Sequence, residues 1–233
     1  IHLREDRRHI NDLDLKEIKS KLKIPLNLEI AATNEMLSIA LKHKPNFVCI
    51  VPEKRKEVTT EGGLNLNYKK NFLKNTIHKL KMNGSRVSLF IDPKIQDVKT
   101  AKELQADLAL VTDVCHNTNT PMMDNAKHGP VVGGKGPSLE YASQNHRGIL
   151  NMLKEVAKAN DIPLQHHVGS YGNDTVAFFL ENTPTAILGM PLKYMHTTVE
   201  MAHKDDVETC IELYIEFLKA LTPEKIDEIN KRK

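Results

Sequence analysis

The sequence predicts an α/β protein in which strands of a parallel sheet alternate with helices. Three observations carry that prediction. Phe47 to Val51 is an unbroken apolar run, as a strand buried on both faces requires. Strand and helix signals follow one another through residues 1–109 at the spacing of successive βα units. The same rhythm resumes at Ala109 and runs to the end of the chain.

In order, Leu26 to Ile30 reads as a short strand. Asn34 to Lys42 reads as a helix carrying Met36, Leu37, Ile39 and Leu41. After the strand Phe47–Val51, Tyr68 to Met82 is the next helix, closed by Asn83-Gly84 as a left-handed cap. Val87 to Ile91 is a strand and Asp97 to Leu104 a helix. Ala109 to Val114 reads as a strand. The stretch Cys115 to Glu140 is rich in Asn, Thr, Pro and Gly and reads as irregular; stretches of that length are usually functional or disordered. Beyond it come a helix from Gly148 to Asn160, a strand from Gln165 to Gly169 and a helix from Thr175 to Glu181. A strand from Thr185 to Leu188 and a helix from Asp205 to Leu221 complete the series. Asp205 and Asp206 suit the N-terminus of that last helix. Lys231-Arg232-Lys233 reads as a frayed helix end.

Composition narrows the function classes. Hydrophobic residues make up 40% and charged residues 27%, ordinary for a globular domain. The formal charge of +3, from 33 basic and 30 acidic residues, argues against nucleic-acid binding spread over the surface. No apolar run approaches the ~20 residues of a membrane span, and no signal peptide is expected. Three scattered cysteines, Cys49, Cys115 and Cys210, favour a reduced, cytoplasmic setting. The first residue is not methionine, which is expected of a fragment or a processed chain.

Two groups of residues carry chemistry. His2, Arg4, Arg7, Arg8 and His9 crowd the end of an expected strand, where parallel β/α folds bind ligands. Arginines there suit phosphate, and a histidine suits proton transfer; the competing reading is a solvated charged loop. Glu29 interrupts an apolar strand, so a buried base is expected, with a structural ion pair as the alternative. Pro52 to Gly63 follows a buried strand and offers hydroxyls and glycine amides to an oxygen-rich substrate. In the second group, Asp113 ends an expected strand and His196 follows another; both are metal-ligand types. Gly133-Gly134-Lys135-Gly136-Pro137 looks like a phosphate loop without the Ser/Thr-helix context of a P-loop. In Gly172-Asn173-Asp174-Thr175, helix capping by the acid is the simple explanation.

The words H-L-R-E-D-R-R-H, N-L-E-I-A-A-T-N-E-M-L, V-P-E-K-R-K-E-V-T-T-E-G-G-L and R-V-S-L-F-I-D-P resemble pyridoxine 5′-phosphate synthase over residues 1–109. That family is a (β/α)₈ TIM barrel, usually octameric. It condenses 1-deoxy-D-xylulose 5-phosphate with 3-amino-2-oxopropyl phosphate in vitamin B6 biosynthesis, without a cofactor. The resemblance implies His2 and Glu29 as catalytic acid/base groups and Arg4, His9 and Thr59 as substrate-binding residues. The family's Asn-x-Asp-His, Glu-x-His-Thr-Gly and Gly-His-Gly-Leu motifs are not in the chain.

Thr112-Asp113-Val114, Asn119-Thr120-Pro121, Gly134-Lys135-Gly136-Pro137, Gly172-Asn173-Asp174 and Tyr194-Met195-His196-Thr197-Thr198-Val199-Glu200 follow in an order that resembles the TET and glutamyl aminopeptidases over residues 108–233. Those are homo-oligomeric dinuclear metallopeptidases. The resemblance implies Asp113 and His196 as metal ligands, zinc or cobalt as the ion, and peptides as substrates. The first histidine ligand, the bridging aspartate and the glutamate pair of that family are not in the chain. The expected architecture is therefore half a (β/α)₈ barrel, residues 1–109, joined to half a metallopeptidase α/β sheet, residues 110–233, the two sharing the strand near 107–113. Both sites are expected to be incomplete, and a non-catalytic chimera is the third reading.

Overall fold

The computed structural model describes residues 1–53, 62–168 and 172–231. They form two compact units, Ile1–Gln105 and Ala106–Lys233, each with its own sheet.

In the first unit, α1 (Asp12–Lys21) precedes β1 (Asn27–Ala31), α2 (Asn34–His43), β2 (Phe47–Val51), α3 (Lys70–Met82), β3 (Arg86–Leu89) and α4 (Ile95–Glu103). The strands are parallel in the order β1-β2-β3. The chain start adds a stub beside β1. The Glu29 amide donates to the Ile1 carbonyl at 2.8 Å, and His2 bridges to Glu29 in parallel.

Side chains alternate across such a sheet. Leu28, Ile30, Val48 and Ile50 turn to one face, where they bury with Met36, Leu37 and Ala40 of α2 and Leu73, Ile77 and Leu80 of α3. Glu29, Cys49 and Ser88 share one register position and lie on the opposite face. Glu29 therefore does not interrupt a buried strand: its side chain is 39% exposed, and the expectation of a buried carboxylate there is corrected by the alternation. Helix ends follow local chemistry. Asn11 and Asp14 form a capping box on α1, a helix with Leu15 as its buried residue, and Gly84 takes φ +91 after α3.

In the second unit the elements are β4 (Ala109–His116), α5 (Asn125–His128), β5 (Ser138–Tyr141), α6 (Arg147–Ala159), β6 (Gln165–Val168), α7 (Thr175–Leu180), β7 (Thr185–Lys193), β8 (Met201–Ala202), α8 (Lys204–Ala220) and α9 (Pro223–Lys231). The strand order is β4-β7-β5-β6, with β8 antiparallel on β7. β4 pairs in parallel with β7, β5 runs antiparallel to β7, and β6 is parallel to β5. Ile149, Leu153 and Val156 of α6 bury with Leu213 and Phe217 of α8 against Leu139 and Leu188 of the sheet.

This unit corrects three expectations. β4 belongs to the second sheet through β7; β1, β2 and β3 form a sheet of their own, so the strand near 107–113 is not shared. Asp113 lies inside β4, which runs on to His116, and does not end it. The irregular stretch 115–140 contains α5 and the start of β5.

Gly189 sits where β4, β5 and β7 meet, opposite Asp113 and Ser138 in register. A Cβ there would fall 2.9 Å from Cys115 Cβ and 3.0 Å from its Sγ, inside van der Waals contact. Gly189→Ala is expected to cost about 1–3 kcal/mol by overpacking. Urea unfolding checks this, and an unchanged midpoint would contradict the packing.

Among the described residues no helix is long and apolar enough to cross a membrane.

Candidate functional site

The first unit gathers its titratable groups beside the C-terminal half of the sheet. The stub carries His2 past β1, β1 supplies Glu29, and Glu53 stands two residues beyond β2. His2 is held between two carboxylates: its Nδ1 is 3.6 Å from Glu29 Oε2 and its Nε2 is 3.5 Å from Glu53 Oε2. Arg4 is 2% exposed, with Nε 3.7 Å from Glu53 Oε1 and 3.6 Å from Asp6 Oδ1. The Glu5 amide donates to Glu53 Oε1 at 2.9 Å. An imidazole between two carboxylates can accept a proton on one side while the other side fixes its orientation.

The remaining cations of the stub are taken up internally. Arg7 binds Asp12 and Glu35. Arg8 donates to Asp6, and that contact holds the Asp6 carboxyl down to about 2, below the usual aspartate range. His9 is exposed. Thr59 lies outside the described residues. The structure thus brings His2, Glu29 and Arg4 into one cluster. Of the glycine amides expected to meet substrate, Gly63 N–H donates instead to Asp92 Oδ1 at 2.6 Å. Lys94 beside Asp92 keeps that carboxyl below its ordinary value, ahead of the opposing effect of burial.

In the second unit Asp113 and His196 are both exposed. Asp113 Oδ1 accepts its neighbour Val114 N–H at 2.7 Å, and His196 N–H donates to Glu200 Oε1 at 2.6 Å. Among the described residues no group of three or more His, Cys, Asp or Glu side chains converges to hold an ion. A metal centre typically needs about three protein ligands. The described residues do not make one.

What the unit does contain is a set of histidines and two buried carboxylates. The His116 and His128 rings lie 5.4 Å apart. Burial, then His128 and His196, lower the His116 pKa. Buried His167 shares a 2.9 Å hydrogen bond between its Nδ1 and Ser138 Oγ. Glu140, fully buried, accepts from Asn145 Nδ2 at 2.7 Å and Asn173 Nδ2 at 3.0 Å. Asn173, not Asp174, caps α7: its Oδ1 accepts Thr175 N–H at 3.1 Å, and the Asp174 side chain makes no cap bond. The glycine loop expected to hold phosphate closes on the protein's own anion. Gly134 and Gly136 N–H donate to Asp206 Oδ2 and Oδ1, both at 2.8 Å.

Neither Glu53, Glu140 nor Asp206 stands out in the sequence as a functional group. For Glu53 a signal existed, since it is the first charged residue after the Phe47–Val51 strand.

The first cluster places a histidine, two carboxylates and an arginine beside a parallel sheet. The model of the family described as pyridoxal phosphate biosynthesis protein PdxJ matches residues 1–128, more than half of the chain, and the chain belongs to that family. The M42 glutamyl aminopeptidase model matches residues 98–213, so the two matches overlap across 98–128 and the protein has two parts. The pyridoxine 5′-phosphate synthase of Pelagibacter ubique is 58% identical over 106 residues, covering 46% of this chain and 44% of its own length. That of Syntrophotalea carbinolica is 47% identical over 148 residues, covering 61% of this chain and 62% of its own. The chain thus spans roughly half the length of the curated relatives it matches. Among solved structures, a TET aminopeptidase from Thaumarchaeota archaeon SCGC AB-539-E09 superposes with a TM-score of 0.53 at 23% identity, over 70% of this chain and 50% of that one. An aminopeptidase from Desulfurococcus kamchatkensis gives 0.53 at 21% identity, over 68% and 49%. At these identities the likeness concerns the fold alone.

Proposed function

We propose that residues 1–109 form a partial barrel with a phosphate-ester site of the pyridoxine 5′-phosphate synthase type, using His2 and Glu29 as acid/base groups. The observation that carries this is the imidazole of His2 between Glu29 and Glu53, beside a buried arginine. The parallel order β1-β2-β3 supports the barrel reading, because successive βα units of a barrel neighbour one another in sequence order.

In this reading the substrate is 1-deoxy-D-xylulose 5-phosphate, held through Arg4, His9 and Thr59. His2 Nδ1 exchanges a proton with it, and Glu29, on the exposed face, assists. The second substrate is 3-amino-2-oxopropyl phosphate, and the active form is a homo-oligomer. A missing general acid/base typically costs about 10²–10⁴-fold, so the family motifs not found here leave the chain able to bind but without efficient turnover alone.

Residues 110–233 carry the second reading, a peptidase-derived unit that recognises peptides, supported by the M42 match. No metal chemistry is assigned to it, because no group of three or more His, Cys, Asp or Glu side chains converges among the described residues.

Calorimetric titration of the intact chain with 1-deoxy-D-xylulose 5-phosphate tests the first reading. Millimolar-range binding that weakens with salt is expected, since the attraction is charge-assisted. Arg4→Ala should abolish it. Binding that is absent at millimolar ligand, or unchanged in Arg4→Ala, would sink the proposal.

A further inference from the structure

We infer that Glu53 is a positioning residue for this site, holding the Nε2–H of His2 so that Nδ1 faces the substrate as the basic nitrogen. The inference rests on the synthase-type reading above for the identity of the substrate, but not for the state of the histidine.

The two carboxylates beside His2 are not equivalent. Glu29 is 39% exposed and lies on the open face of the sheet; the Glu53 side chain is 4% exposed. A carboxylate buried that deeply is costly unless its oxygens are occupied. Oε1 is occupied: it accepts the Glu5 amide at 2.9 Å and stands 3.7 Å from Arg4 Nε. Among the described residues Oε2 has no hydrogen-bond partner, and neither does His2 Nε2, which is also buried and only 3.5 Å away. A proton on Nε2 satisfies both atoms at once. Were Nε2 bare, its lone pair would face a carboxylate only 4% exposed, whereas a bare Nδ1 faces Glu29, 39% exposed, whose charge solvent screens. Catalytic hydrogen bonds are often long before substrate binds and shorten in the complex.

The Glu53 side chain is 4% exposed, and its contacts are with His2, the Glu5 amide and Arg4. It acts through His2, as a buried carboxylate orients the histidine of a hydrolase by fixing its tautomer. The same carboxylate stands 3.7 Å from Arg4 Nε, so ring and guanidinium are set by one side chain. With Nε2 protonated, Nδ1 carries the lone pair and lies 3.6 Å from Glu29 Oε2. That is the side open to ligand.

Long-range ¹H–¹⁵N spectra of the histidine rings in the intact chain, at a pH where His2 is neutral, report the tautomer directly. His2 is assigned by its loss in His2→Gln. The expected result is the Nε2–H form for His2. In Glu53→Gln the single tautomer should give way to a mixture, Glu53→Asp should retain part of the bias, and affinity for 1-deoxy-D-xylulose 5-phosphate should fall about tenfold in Glu53→Gln. Circular dichroism verifies that each variant is folded. A bare Nε2 in the unaltered chain, which needs no variant, overturns the inference; so do His2 signals unchanged in a folded Glu53→Gln. If the unaltered chain shows the Nε2–H form yet binds no phosphate ester, the synthase-type reading fails while the role of Glu53 in setting His2 stands.

Discussion

Asp206→Ala is expected to destabilise the second unit by about 3–5 kcal/mol, among the larger effects a single substitution produces. Asp206 is fully buried at the first turn of α8, and its two oxygens each accept a glycine amide, Gly134 and Gly136, at 2.8 Å. Hydrogen bonds to a charged group contribute about 1.5–3 kcal/mol each. Removing the carboxylate also leaves the buried Gly136 amide without an acceptor. The helix N-terminus favours the negative charge as well, so the loop and α8 are joined by one anion. Gly136 has φ +87 and its Cβ position falls 2.2 Å from the Pro163 carbonyl, so the loop cannot easily rearrange to find another partner. Asp206→Asn keeps one acceptor and should recover part of the loss. Denaturant unfolding of both variants is the check; a midpoint for Asp206→Ala within error of the parent would show that the loop does not depend on this carboxylate.

Acidification should weaken the same unit through His167. Burial, followed by the charges of His128, His116 and His166, lowers its pKa from 6.5 to about 4. The unfolded chain therefore binds more protons than the folded one between those two values. Stability is full above pH 6.5 and is lost as pH falls from there towards 4. The shift corresponds to about 3 kcal/mol at most. His116 and His166 are lowered by burial too, and add to the slope. Unfolding free energy measured from pH 7.5 to 4 should show this decline, and His167→Gln should flatten it. A slope that is identical in the variant would mean that other groups carry the acid sensitivity.

Some of this architecture was legible in the residues. Phe47–Val51 could be read as a buried strand because every residue in it is apolar, and its limits match β2. The Asn83-Gly84 helix stop followed from glycine's tolerance of positive φ. His2 and Glu29 could be singled out from type and place, and the parallel bridge brings them together. β5 could not be read in the same way. Ser138 and Glu140 are polar and look like loop, yet both are buried because His167 and Asn173 supply hydrogen bonds from 29 and 33 residues away, and Asn145 another from 5. The glycine loops misled for a related reason. A run of glycines states that backbone amides are available; it does not state which anion takes them, and Asp92 and Asp206 arrive from 29 and 70 residues away. The alternation that puts Glu29 on the open face was visible in Leu28-Glu29-Ile30, but the strand's continuous apolar neighbours pointed to burial on both sides.

Under the proposed function, phosphate-ester recognition belongs to the first unit and to the residues around His2. Backbone and side-chain NMR spectra of the intact chain, titrated with 1-deoxy-D-xylulose 5-phosphate to millimolar concentration, test it most directly. Saturable shifts are expected at His2, Arg4, Glu29 and Glu53, with none at Gly134, Gly136, Asp113 or His196. Shifts confined to the second unit, or none in either, would contradict it.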